Sequence, residues 1–212
     1  AGAHALGGGC PHKARGPDPP AGPARLGRPP TDPLQHAAAL GLLGIADPNV
    51  PGATAFVTAV DELAQVDPNT AIALALHNAA LAACVAANHP LAATLAAGEL
   101  AALLIGEEAT GSDNLHPGTV AVPTANGFKL TGQKVWGINA AAAKHFLVLA
   151  NVTGKAGAEN GSGPTLFAVN AQDSQVSLGE NESLLGLRAA GIRTVYPTGA
   201  ESAQGVGGGG TR

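Results

Sequence analysis

The polar turn Glu107-Glu108-Ala109-Thr110-Gly111-Ser112-Asp113 is the part of the chain best equipped for chemistry. It follows an Ala- and Leu-rich stretch beginning at Gly98, and two strand-like runs come after it. The second run carries the only tryptophan of the chain, Trp136. Apolar spacing reads as helix before this turn and as strand after it. A helix-to-sheet junction lined with Gly, Ser and backbone amides gathers hydrogen-bond donors in one place, which suits a phosphate-bearing ligand.

Composition narrows what such a ligand could meet. With 11 Lys plus Arg against 15 Asp plus Glu and a net charge of −4, no basic face is available for nucleic acid or an anionic membrane. Phosphates would be held mainly by backbone amides and hydroxyls, or by another chain. Cys10 and Cys84 are too few for a disulfide scaffold and read as free thiols in a reducing compartment. His4, Cys10 and His12 lack a second pair at ligand spacing, so no metal is expected. The most apolar run, Ala71 to Ala87, is dominated by Ala and interrupted by His77-Asn78, so no membrane span is expected. No charged segment precedes an apolar core at the N-terminus, and a cytoplasmic protein is expected.

The elements that must position the turn follow from periodicity and punctuation. Residues 1–32 form a Gly/Pro-rich arm in which the prolines forbid a regular helix. Pro33 to Leu43 reads as a short helix, Ala53 to Val66 as a second, and Asn69 to Asn88 as a third, capped by Asp67 with Pro68 at its first position. The third is apolar nearly all round, as a buried helix is, with His77 as a satisfied core histidine. After His89-Pro90, Leu91 to Leu103 reads as a fourth helix. From Thr119 the period becomes two, and strands are expected around Val120, Phe128, Val135, Phe146, Leu166, Val176 and Thr194. Asn126-Gly127 signals a hairpin. Helices followed by strands make the fold class α+β: an all-α domain over residues 33–106, an antiparallel β domain over 107–206, and a flexible tail over 207–212.

Several segments resemble one family, the acyl-CoA dehydrogenases. Leu104-Ile105-Gly106-Glu107-Glu108-Ala109-Thr110-Gly111-Ser112-Asp113 is similar to its A-x-T-E-P-x-x-G-S-D signature. Asn126 to Trp136 resembles its G-y-x-L-n-G-x-K-x-W segment, and Leu185 to Val195 its M-G-x-R-x-S-x-T-x-x-V turn, with Ala190 and Ile192 where hydroxyls usually stand. Leu63-Ala64-Gln65-Val66-Asp67 and Gly98-Glu99 match two of its helical segments. The resemblance runs from about Pro33 to Val206.

It implies an FAD-dependent oxidoreductase of fatty-acid metabolism that desaturates an acyl-CoA thioester. A homodimer or homotetramer passing electrons to an electron-transfer flavoprotein is implied with it. By resemblance, Leu103, Ile105 and Gly106 present backbone to the flavin, and Gly111 and Ser112 approach the pyrophosphate or the pantetheine arm. Trp136 abuts the flavin ring and Ile138 lies near its N5 side; a core aromatic is the other reading of Trp136. Ser162 is a candidate for touching the acyl-CoA. The family's catalytic base comes from a C-terminal helical bundle that is not in this sequence, so no catalytic residue is named. Glu107 and Glu108 are read as solvated carboxylates, Arg188 as a structural hydrogen-bond hub and Arg193 as a solvated charge. Gly106 and Ile138 replace hydroxyl residues of the family. That favours one alternative, a non-catalytic subunit of a hetero-oligomer; a flavin monooxygenase or oxidase on the same fold, differing in the domain not in this sequence, is another.

Overall fold

The computed structural model describes residues 31–45, 53–153 and 163–206. The expectations for the N-terminal arm up to Pro30, the loop at Asp47 to Gly52, Ser162 and the tail lie outside the described residues.

Helix α1 spans Thr31–Ala39 and is followed by a single 3-10 turn, Leu42–Gly44. Helix α2, Ala53–Val66, turns Val60 and Leu63 toward a cluster of Leu34, Ala37, Leu43, Ala73 and Leu74. Helix α3, Pro68–Ala86, opens as its sequence predicts: the Asp67 carboxylate accepts the Asn69 N–H at 3.0 Å and the Thr70 hydroxyl at 2.6 Å. By length and composition α3 could cross a membrane, but it serves as a core helix here, packed against α1, α2, α4 and the first strand. Cys84 lies on its buried side, and burial pushes the thiol pKa up to about 11.

The fourth helix is shorter than its sequence suggests. Helix α4 covers only Leu91–Ala96, and Gly98, at φ +104°, turns the chain out of it. Ala101–Leu104 then forms strand β1, which pairs in parallel with β5, His145–Val152. Four consecutive apolar residues read equally well as helix, because a strand buried on both faces shows no alternation. The alternation exists in space. Ala101 and Leu103 join Leu81, Leu95 and Leu147 beneath the helices, while Ala102 and Leu104 join Phe146, Val148 and Phe167 inside the β unit.

Beyond it come β2 (Val120–Thr124), β3 (Gly127–Thr131), β4 (Lys134–Gly137), β6 (Pro164–Asn170), β7 (Val176–Asn181), β8 (Arg193–Pro197), β9 (Ala200–Ser202) and β10 (Gly205–Val206). The larger sheet runs β10-β6-β5-β2-β3-β9, and β1 and β2 both pair in parallel with β5. The α+β class stands, with these two parallel pairings inside an otherwise antiparallel unit. The smaller sheet runs β4-β8-β7. The expected hairpin joins β2 and β3, but Thr124 pairs with Gly127, so its tip is Ala125-Asn126 and Gly127 already belongs to the strand.

His77 is fully buried where α3 meets β1, and it is less well satisfied than expected. Its Nδ1 accepts the Ala101 N–H at 3.1 Å, which leaves the ring proton on Nε2, and Nε2 makes no hydrogen bond among the described residues. Burial drives its pKa down to about 4, against the weaker pull of the Leu95 and Leu43 carbonyls. An unfolded histidine protonates near its ordinary value of about 6.5. Between those two values the unfolded state binds more protons, so stability is complete above the upper one and falls as pH drops through the window. Urea unfolding from pH 7 to pH 4 should show a loss of about 3 kcal/mol from this group, and His77→Gln should flatten that part of the profile. An unaltered profile in the variant would assign the slope elsewhere.

Candidate functional site

β1 ends at Leu104, and the next three residues set the geometry of the junction. Ile105 and Gly106 are half-buried and Glu107 is only 6% exposed. Glu107 is therefore not the solvated carboxylate expected from its place in a polar turn. One of its oxygens accepts the Gly118 N–H at 2.6 Å; the other accepts the Thr119 N–H at 3.0 Å, the Thr119 hydroxyl at 2.6 Å and the Lys134 ammonium at 2.6 Å. Burial alone would raise its pKa, but Lys134 and Thr119 hold the carboxyl below its ordinary range. Lys134 is 0% exposed and its Nζ also donates to the Ile105 carbonyl at 3.0 Å. Burial lowers the Lys134 pKa, with Glu107 opposing. Glu108, by contrast, is exposed as expected.

β4 lies beside this segment, the Val135 N–H donating to the Gly106 carbonyl at 3.0 Å. Two residues into β4, Trp136 is 66% exposed with φ +53°, at the irregularity where β4 slips register against β8. A left-handed backbone at a bulky aromatic is strained, and the largely exposed indole recovers little burial energy. Among the described residues Trp136 is therefore not a core aromatic. Ile138 is half-buried just beyond. Neither the Gly106 nor the Ile138 N–H donates a hydrogen bond among the described residues.

The other expected residues are more scattered. Leu103 sits within β1, paired with Leu147, and its side chain packs under the helices. Gly111, at φ +57°, and Ser112 occupy an exposed turn closed by the Gly111 N–H to the Glu107 carbonyl at 3.0 Å. The two arginines exchange the roles expected of them. Arg188 is exposed with one hydrogen bond, from Nε to the Leu184 carbonyl, whereas Arg193 is half-buried and donates to Asn181 Oδ1 at 2.8 Å and to the Gly179 carbonyl.

Two asparagines that sequence reading passes over hold the junction together. Asn139, 2% exposed at φ +71°, donates from Nδ2 to the Ala73 and Ala101 carbonyls and from its N–H to the Ala190 carbonyl. Asn69 Oδ1 accepts the Ala189 N–H at 3.1 Å. Together they tie α3, β1 and the turn around Ala189-Ala190 to the end of β4, which fixes where Ile138 stands. The one hint in the sequence is an Asn directly after Trp136-Gly137-Ile138, a residue type that tolerates the left-handed conformation.

An all-α layer packed on a two-sheet β unit, with an outward tryptophan on strand β4, defines an α+β class of protein. Residues 102–198 match the family model described as acyl-CoA dehydrogenase, middle domain. The resemblance to the acyl-CoA dehydrogenase family is thereby borne out, and this segment is similar to the family's middle domain. A "probable short/branched chain specific acyl-CoA dehydrogenase" of Dictyostelium discoideum is 30% identical over 141 residues, which are 63% of this chain and 33% of that protein. Among solved structures, the electron transferring flavoprotein of Acidaminococcus fermentans superposes with a TM-score of 0.75 at 18% identity, covering 85% of this chain and 50% of that one. A glutaryl-CoA dehydrogenase from Mycobacterium smegmatis in complex with FADH2 superposes with a TM-score of 0.73 at 19% identity, covering 84% and 47%. At these identities the superpositions show the fold. The chain spans a third of the curated relative and about half of these structures.

The residues present fit a flavin. An isoalloxazine is a flat ring with acceptor atoms along its edge. Here an exposed indole lies on the strand that bonds Gly106, two nearby N–H groups donate to nothing among the described residues, and Gly106 carries no side chain.

Proposed function

We propose that this chain forms the flavin-holding part of an FAD-dependent acyl-CoA dehydrogenase acting on an acyl-CoA thioester. The exposed, backbone-strained Trp136, together with Gly106 and Ile138 N–H groups that donate to nothing among the described residues, carries this reading. When bound, FAD supplies the hydride-accepting chemistry. The chain's own residues would hold it: Trp136 would pack against the ring and the Gly106 and Ile138 N–H groups would donate to its edge. Gly111 and Ser112, in their open turn, contact the pyrophosphate or the pantetheine arm. Glu107 cannot serve as a base, because its oxygens already accept four donors and its proton affinity is lowered. We therefore place the base outside the described residues. A homo-oligomer that hands electrons to an electron-transfer flavoprotein completes the proposal.

The second reading is a flavin-binding or structural subunit that does not dehydrogenate, and Gly106 and Ile138 favour it by offering no hydroxyl to the ring. One experiment separates the two. The protein, in its native assembly so that a base supplied from outside these residues is present, is mixed with FAD, passed over a desalting column and titrated anaerobically with short-chain acyl-CoA. Retained flavin that bleaches anaerobically on adding acyl-CoA is expected. Retained flavin that stays oxidised would select the second reading, and a colourless protein would overturn flavin binding itself.

A further inference from the structure

The buried pair Glu107–Lys134 is placed for more than stability. Lys134 Nζ, with no solvent exposure, donates to the Ile105 carbonyl, so that carbonyl points into the protein. In a trans peptide the C=O and the following N–H point in opposite directions. The Gly106 N–H is therefore aimed opposite to the buried Lys134 ammonium, and it donates no hydrogen bond among the described residues. The carbonyl of Gly106 is fixed in turn by the Val135 N–H, so the residue is held on both sides. Glu107 keeps the ammonium in place while its remaining capacity is spent on Gly118 and Thr119. Fold stability alone does not call for this arrangement, since buried ion pairs can often be replaced by apolar residues at little cost.

We infer that Lys134 and Glu107 are a positioning pair: they lock the Ile105–Gly106 peptide so that the Gly106 N–H is preset as a donor to an acceptor atom on the flavin ring edge. This rests on the flavin reading above. Lys134 touches no cofactor itself and acts through the peptide it clamps.

The test compares wild type, Lys134→Met and the double variant Glu107→Gln/Lys134→Met. The double variant removes both charges and leaves one amide oxygen at position 107 to accept from Thr119, while the amide NH2 faces the Gly118 N–H. Urea unfolding measures stability, and amide exchange and the nitrogen chemical shift of Gly106 are followed by NMR without cofactor. FAD affinity is measured by equilibrium dialysis. The double variant is expected to regain most of the stability lost by Lys134→Met. It should still bind FAD about tenfold more weakly than wild type, the worth of one well-directed hydrogen bond, with a displaced Gly106 resonance. A double variant with wild-type FAD affinity and an unmoved Gly106 amide would overturn the positioning role while leaving the flavin reading intact. A wild-type protein that takes up no FAD would overturn both.

Discussion

Glu107→Gln and Lys134→Met should each destabilise the protein by about 3–5 kcal/mol, the usual cost of leaving one member of a buried ion pair uncompensated. Made together, they should cost far less than the sum. Lys134 is 0% exposed and Glu107 6%, so neither charge left behind can reach water without opening the junction. The amide oxygen introduced by Glu107→Gln still accepts from Thr119, but its NH2 leaves the Gly118 N–H without an acceptor and no residue replaces the ammonium's contact with Ile105. Recovery should therefore be large and incomplete. Urea denaturation of the four proteins in the cycle measures the coupling directly. Additive single effects, with coupling below about 0.5 kcal/mol, would mean that the two side chains do not depend on one another.

The second large effect concerns Gly132, two residues before Lys134. A Cβ there would lie 2.7 Å from the Thr119 Cα and collide with the Thr119 side chain as well. Thr119 is 1% exposed, and both its N–H and its hydroxyl serve Glu107, so it has nowhere to retreat. Gly132→Ala should cost about 3 kcal/mol, at the upper end for an overpacked interior. Gly186→Ala is the control, because a Cβ at that position meets nothing within 4 Å. Equal thermal midpoints for the two variants would show that the chain leaving strand β3 gives way more easily than its packing suggests.

Gly132 also shows how the sequence carries its information. In Gly132-Gln133-Lys134-Val135-Trp136, the glycine admits Thr119, the lysine clamps Glu107 and Ile105, and the tryptophan faces out. The spacing is readable without the geometry behind it. The helices α2 and α3, the cap at Asp67 and the strands beyond Thr119 are readable too, because period and punctuation agree. β1 is not, since Ala-Ala-Leu-Leu looks the same in a helix and in a strand buried on both faces. Glu107 and Glu108 are neighbours of one type, and only tertiary pairing makes one buried and the other exposed. Arg188 and Arg193 read in reverse for a similar reason, as the partners of Arg193 lie on a strand whose register no local pattern reports. Asn69 and Asn139 act across long stretches of chain, a distance no local pattern bridges.

The chain has one tryptophan, and it stands in water at the junction of the two layers. Its emission should already be red-shifted in the native protein and should move little when the fold is lost. Indole fluorescence is consequently a poor thermometer of unfolding here, and backbone circular dichroism has to take that part. The same property makes the indole a local optical probe. A flavin stacked against Trp136 would accept its excitation energy, so quenching would report occupancy of this one place with no tryptophan background from the rest of the chain.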